Sequence, residues 1–111
     1  MAEHIDYVEL RAGDMQASKA FYAAAFGWSF TDYGPEYAAF EGAGLDGGLD
    51  ATTPTADRPP LVILKSDDLE GSLRRVEAAG GVVTVPIFEF PGGRRFHFRD
   101  PTGNELAVWA E

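Results

Sequence analysis

The sequence predicts an α+β fold made of two βαβββ modules. Three observations predict it. Short alternating or apolar β-rich runs outnumber helical stretches. Two helical stretches each open at an aspartate and stop at a glycine. The second half repeats the punctuation of the first at a shift of 54 residues.

The elements follow in order. Ile5 to Arg11 alternates, with Ile5, Tyr7 and Glu9 on one face and Asp6, Val8 and Leu10 on the other, which reads as a strand. Gly13-Asp14 offers a turn and an N-cap, and Met15 to Ala25 reads as an alanine-rich helix. Its expected buried stripe is Ala17, Phe21, Ala24 and Ala25, with Tyr22 beside it. Gly27 stands where a glycine ends a helix. Trp28 to Tyr33, Tyr37 to Glu41 and Leu45 to Ala51 read as three strands, split by Gly34-Pro35 and Gly42-Ala43-Gly44. Residues 52–60 hold three prolines and form a linker. Leu61 to Lys65 is the next strand. A helix capped by Asp67 or Asp68 runs through Ala79, and Asp67 with Glu70 fits a capping box. Gly80-Gly81 stops it. Val82 to Phe88, Arg94 to Arg99 and Glu105 to Trp109 are the last three strands, joined by glycine- and proline-bearing turns.

The shift places Val8 on Val62, Leu10 on Leu64, Arg11 on Lys65, Asp14 on Asp68, Ser18 on Ser72 and Gly27 on Gly81. Strand, cap, helix and stop coincide. Each half is too small to bury much surface alone. One domain over 1–111 is therefore expected, with module one about 4–51, the linker 52–60 and module two about 61–110.

Composition narrows the chemistry. The chain has 111 residues, and 45% are hydrophobic, enough for a core. Cysteine is absent, which excludes disulfides, zinc ribbons and thiol nucleophiles. Only His4 and His97 are present, so a three-histidine metal site within one chain is excluded. A net charge of −9 disfavours nucleic acid. No run is long and apolar enough for a membrane helix, and the N-terminus has no secretory pattern. A cytoplasmic protein is expected. Nucleophile-elbow and Walker sequences are missing, so triad hydrolysis and P-loop phosphoryl transfer lack support.

Three segments carry a family resemblance. Asp14 to Tyr22 (DMQASKAFY) with Phe26-Gly27-Trp28 resembles the opening of the vicinal oxygen chelate superfamily. That group holds glyoxalases, bleomycin- and fosfomycin-resistance proteins and extradiol dioxygenases. Asp67-Asp68-Leu69 through Gly80-Gly81 resembles its second helix, and Phe98 to Leu106 (FRDPTGNEL) its closing motif. The resemblance spans nearly the whole chain. It implies paired βαβββ modules whose mixed sheets curl around an open cleft, and a homodimer.

In metal-dependent relatives, ligands come from the first and last strands of each module. The matching positions here are Tyr7, Leu61 and Ala107, with Asp50 nearest to the fourth. A phenol, an isobutyl and a methyl do not meet a divalent metal's need for several imidazole or carboxylate donors. The expectation is no metal ligand set and no cofactor, unless a metal binds at displaced positions such as Asp50.

The remaining polar and aromatic residues suggest a pocket for a small organic ligand. Tyr7, Glu9 and Arg11 line the first strand, Leu61 and Lys65 the fifth, and Trp109 the last. The seventh strand is expected to present Arg95 and His97 there and to turn Phe96 and Phe98 toward the core. Tyr7 and Trp109 are expected to flank the ligand, with Arg11 or Lys65 at its polar end. Glu9 and His97 are the candidates for acid and base. Each has a plainer reading: Tyr7 and Trp109 as packing, Glu9 with Arg11 as a pair, Lys65 as a solvated strand end. Arg94, Arg95 and Arg99 read as solvated charges or ion pairs with Glu89 and Asp100. Three functions fit: a metal-free binding protein, a lyase, isomerase or dioxygenase-like enzyme, or a structural interaction protein.

Overall fold

A computed structural model describes residues 3–52 and 59–111. Most of the expected linker lies outside them. The chain divides into two compact units. An N-terminal unit comprises Tyr7–Pro60, and a C-terminal unit comprises Leu61–Glu111 together with the residues up to Asp6.

The elements are β1 (His4–Arg11), α1 (Met15–Phe26), β2 (Ser29–Asp32), β3 (Tyr37–Glu41), β4 (Gly47–Asp50), β5 (Leu61–Lys65), α2 (Leu69–Ala78), β6 (Val82–Phe90), β7 (Gly93–Arg99) and β8 (Glu105–Ala110). This is an α+β fold. Within the N-terminal unit the strand order is β2-β3-β4-β1, with β1 parallel to β4 and the other pairs antiparallel. Within the C-terminal unit it is β5-β8-β7-β6, with β5 parallel to β8. β6 continues through Pro86, with two register shifts against β7 between Val83 and Phe88. Proline is tolerated there because β6 is an outer strand and lacks nothing on its open side.

Both helices begin as the sequence indicates. The Asp14 carboxylate accepts from the Ala17 amide at 3.0 Å. Gly27 closes α1 in the left-handed region, φ 77°, with its N–H on the Ala23 carbonyl. The Asp68 carboxylate accepts from the Gly71 amide at 3.1 Å. The capping box expected of Asp67 and Glu70 does not form. With Asp68 as the cap, the third residue on is Gly71, and Glu70 turns instead to Arg94 at 2.6 Å. Arg94 thus bonds Glu70, and Glu89 stands opposite it on β6 as a second negative neighbour.

The core of the C-terminal unit gathers Leu69, Phe96, Val108 and Ala110, with Leu64, Leu73, Val76 and Phe98 packed against them. Phe96 and Phe98 therefore face α2. Alternation along β7 turns Arg95 and His97 to the opposite face. In the N-terminal unit Ala12, Phe40 and Leu49 are joined by Leu10, Met15, Tyr22, Trp28 and Phe30.

The expected stripe of α1 is corrected. Ala17, Phe21, Ala24 and Ala25 are all exposed, Phe21 at 58%, and α1 has no fully buried residue. The inward stripe is Met15, Ser18, Lys19 and Tyr22, the same helical spacing rotated around the axis. Alanines on every side cannot phase a helix by hydrophobicity. Tyr22 phases it by stacking on Trp28, with ring centroids 4.8 Å apart and planes 7° apart.

The turn after β7 explains the closing motif. The Asp100 carboxylate accepts from the Thr102 and Asn104 amides at 3.0 and 2.9 Å and from the Asn104 side chain at 2.9 Å. Gly103 takes φ 101°, which a side chain would resist. Asp100 is thus committed to its own turn and pairs with none of the arginines considered for it.

Candidate functional site

In each unit the helix covers one sheet face. The polar and aromatic candidates gather on the other.

In the N-terminal unit that face carries Tyr7, Glu9 and Arg11 of β1. Glu9 is 5% exposed and lies opposite Gly48 of β4. The Tyr37 ring lies over Gly48. A Cβ on Gly48 would fall 2.3 Å from the Tyr37 hydroxyl and 2.5 Å from the ring carbon bearing it. The missing side chain therefore opens the space that Tyr37 fills. From there Tyr37 donates to Glu9 Oε2 at 3.2 Å, and its oxygen stands 2.6 Å from the Tyr7 hydroxyl. Burial first, then the Glu9 charge, pushes the Tyr37 phenol well above the ordinary tyrosine range. Tyr37 is therefore a phenol, never a phenolate, at any ordinary pH.

Arg11 pairs with Asp50 at 3.2 Å, both side chains nearly buried. Asp50 Oδ1 also accepts from the Thr52 amide at 2.9 Å and hydroxyl at 2.6 Å. The bond geometry thus joins Arg11 to Asp50.

In the C-terminal unit the ladder register builds a row across four strands. Lys65 lies opposite Trp109, Trp109 opposite Arg95, and Arg95 opposite Phe88. Cation and aromatic alternate. The Lys65 ammonium is 4.9 Å from the Trp109 ring centre. The Arg95 guanidinium is 5.5 Å from the Phe88 ring and 5.7 Å from Phe90. Such distances hold cations by ring electrostatics. Trp109 is oriented by its indole N–H, which donates to Asp6 at 3.1 Å. Next to this row, His97 Nδ1 is 3.2 Å from Glu105 Oε2, and its ring packs at 6.0 Å from Phe88. Lys65 also reaches Glu111 at 3.5 Å, but it remains the more open of the two cations considered for a ligand's polar end, at 34% against 10% for Arg11.

The positions matching the superfamily's metal ligands do not fit a metal. Leu61 is 2% exposed and Ala107 fully buried, and neither has a donor atom. Tyr7 is bonded to Tyr37, and Asp50 holds Arg11 and Thr52. Among the described residues no three histidine, aspartate or glutamate side chains converge as a metal site would need.

A model of the Glyoxalase/Bleomycin resistance protein/Dioxygenase superfamily matches residues 4–108. The chain belongs to this superfamily. "Putative glyoxylase CFP32" of Mycobacterium tuberculosis is 29% identical over 120 residues, covering 94% of this chain and 44% of its own. The anthracycline biosynthesis protein DnrV of Streptomyces peucetius is 30% identical over 124 residues, covering 93% and 45%. Among solved structures, the Mn(II)-bound glyoxalase of Novosphingobium aromaticivorans superposes with a TM-score of 0.71 at 27% identity, over 98% of this chain and 39% of that one. This chain thus spans less than half the length of these relatives.

Of the sequence candidates, Tyr7, Glu9 and Arg11 share one sheet face of the N-terminal unit, where Glu9 is buried. Lys65, His97 and Trp109 share the corresponding face of the other, and Leu61 is buried. Sequence reasoning missed Tyr37. The available signal was its place on β3 across from a glycine strand, where a large ring has room.

Proposed function

We propose that this superfamily member is a binding protein for a small organic ligand with an aromatic body and an anionic group, held without a metal. The observation that carries the reading is the Lys65–Trp109–Arg95 row. It offers a ring to stack on and two cations beside it, in a chain whose net charge is −9. Cations retained in an otherwise acidic protein, each braced on an aromatic ring, suit an anionic aromatic molecule. The aliphatic residues at the superfamily's ligand positions favour binding without metal chemistry.

The test starts from a thermal-shift screen of aromatic carboxylates, since a ligand of the folded state raises the melting point by mass action. The best hit is then titrated against variants. Trp109→Ala is expected to weaken binding about tenfold or more. Lys65→Met is expected to weaken it several-fold. Unchanged affinity in Trp109→Ala rejects the reading.

A further inference from the structure

On the helix-covered face of the C-terminal unit, α2 and the sheet leave a crevice of about 240 Å³ between them. Its walls are Leu64 of β5, Phe98 of β7, Val108 of β8 and Val76 of α2. Ser72, Val76 and Ala79 follow one helical stripe, and the two small members, Ser72 and Ala79, leave room that larger side chains would fill. One end of the crevice is polar. There Ser72, 2% exposed, donates its hydroxyl to the Glu3 carboxylate, and Arg75 pairs with the same oxygen. Ser66 Oγ stands 2.7 Å from the Ser72 hydroxyl and accepts from the Asp68 amide at 3.0 Å, so the buried hydroxyl is braced. The Ser72 bond above all, with Arg75, holds the Glu3 carboxyl below its ordinary pKa against the cost of burial. This end therefore favours a carboxylate over its acid.

We propose that this crevice is a second binding site, for a short aliphatic carboxylic acid, with the Glu3 side chain as an internal competitor for the carboxylate position. A carboxylate already sits on Ser72 and Arg75, and charge-assisted bonds of this kind are what those two groups offer. Beside it lies an apolar space that the side chain of Glu3 does not fill. An aliphatic acid supplies both parts. Its carboxylate replaces that of Glu3, and its tail covers Leu64, Val76, Phe98 and Val108. The Arg75 side chain is 55% exposed and that of Glu3 19%, so the exchange takes place at the surface and needs no opening of the core. Leu64 and Val108 alternate with Lys65 and Trp109, which puts the crevice on the opposite sheet face from the Trp109 row. The proposal is therefore independent of the function proposed above.

The test titrates hexanoate and 1-hexanol, which share a tail, into the full chain and follows the methyl resonances of Leu64, Val76 and Val108. Glu3→Ala removes the tethered competitor and is expected to tighten hexanoate about tenfold while leaving 1-hexanol nearly unchanged. Glu3→Gln keeps the side chain's length without its charge and is expected to act in the same direction. Arg75→Met on the Glu3→Ala background is expected to bring hexanoate down to the level of 1-hexanol. Ala79→Leu, which fills the crevice from the helix side, is expected to weaken both probes several-fold. Hexanoate that moves none of these methyls in Glu3→Ala, or binds Glu3→Ala no tighter than the unmodified chain, overturns the proposal. So does 1-hexanol binding Glu3→Ala as tightly as hexanoate, or unchanged binding of both probes in Ala79→Leu. The Trp109 ring reports separately on the other sheet face, so failure here and failure of the aromatic-ligand reading are told apart.

Discussion

At Asp100 one carboxylate organises a whole turn. Hydrogen bonds from the Asn104 side chain and amide, then from Thr102, lower its pKa from 3.8 to about 2. A carboxyl depressed in the folded state adds stability that is complete above its unfolded value. That stability is lost as pH falls through the folded value. The contribution of Asp100 is therefore expected in full above about pH 3.8 and lost toward pH 2. Carbon-detected titration of the Asp100 carboxyl should give a midpoint near 2, and Asn104→Ala should move it upward. A midpoint unchanged by Asn104→Ala contradicts this assignment. The same residue gives the closing motif a structural role: the Asp100 carboxylate holds the turn through Thr102 and Asn104.

Among the elements, β4 and β7 each depend on a glycine, for different reasons. Gly48 makes room for the end of a side chain, the Tyr37 hydroxyl at 2.3 Å from a built Cβ. Gly93 makes room for backbone, the Ala110 carbonyl at 2.1 Å. A tyrosine rotates away more cheaply than a strand moves. Gly48→Ala should thus cost about 1 kcal/mol, the low end of overpacking, and Gly93→Ala about 3 kcal/mol or more. Urea denaturation of the two variants measures the difference. The Gly48 variant should also lose the Tyr7–Tyr37 bond, seen as a changed Tyr7 ring shift at nearly native stability. Equal costs for the two variants contradict the distinction.

At the scale of the whole molecule, α1 leaves two large aromatic side chains exposed. Phe21 is 58% exposed and Phe26 64%, beside five exposed alanines on the same helix. Apolar area of this kind on a chain of net charge −9 is a surface that association would cover. We propose that the protein is a homodimer. Light scattering at micromolar concentration should give twice the 12.0 kDa chain mass. Phe21→Ser with Phe26→Ser should shift it toward the single-chain mass if α1 is the covered face. A particle of 12.0 kDa in the unmodified protein rejects the dimer. Among the described residues no helix is long and apolar enough to cross a membrane.

The order of elements, the Asp14 cap and the stop at Gly27 were legible in the sequence, because each rests on local chemistry, while the second cap was narrowed only to Asp67 or Asp68. Asp14 and Asp68 bond amides three residues away, and a left-handed Gly27 needs no partner from afar. The faces of β7 were legible too, since period-two alternation separates Phe96 from Arg95 and His97. What alternation cannot supply is who stands opposite whom. Register across strands placed Lys65, Trp109 and Arg95 in one row, gave Arg11 to Asp50, and brought Tyr37 over Gly48 to Glu9. The phase of α1 was likewise undecided by an alanine-rich stretch and was set by Tyr22 on Trp28. Local hydrogen bonding and alternation are properties of neighbours in the chain, so the sequence determines them. Partners tens of residues apart are chosen by strand pairing and packing, and only the tertiary structure decides those.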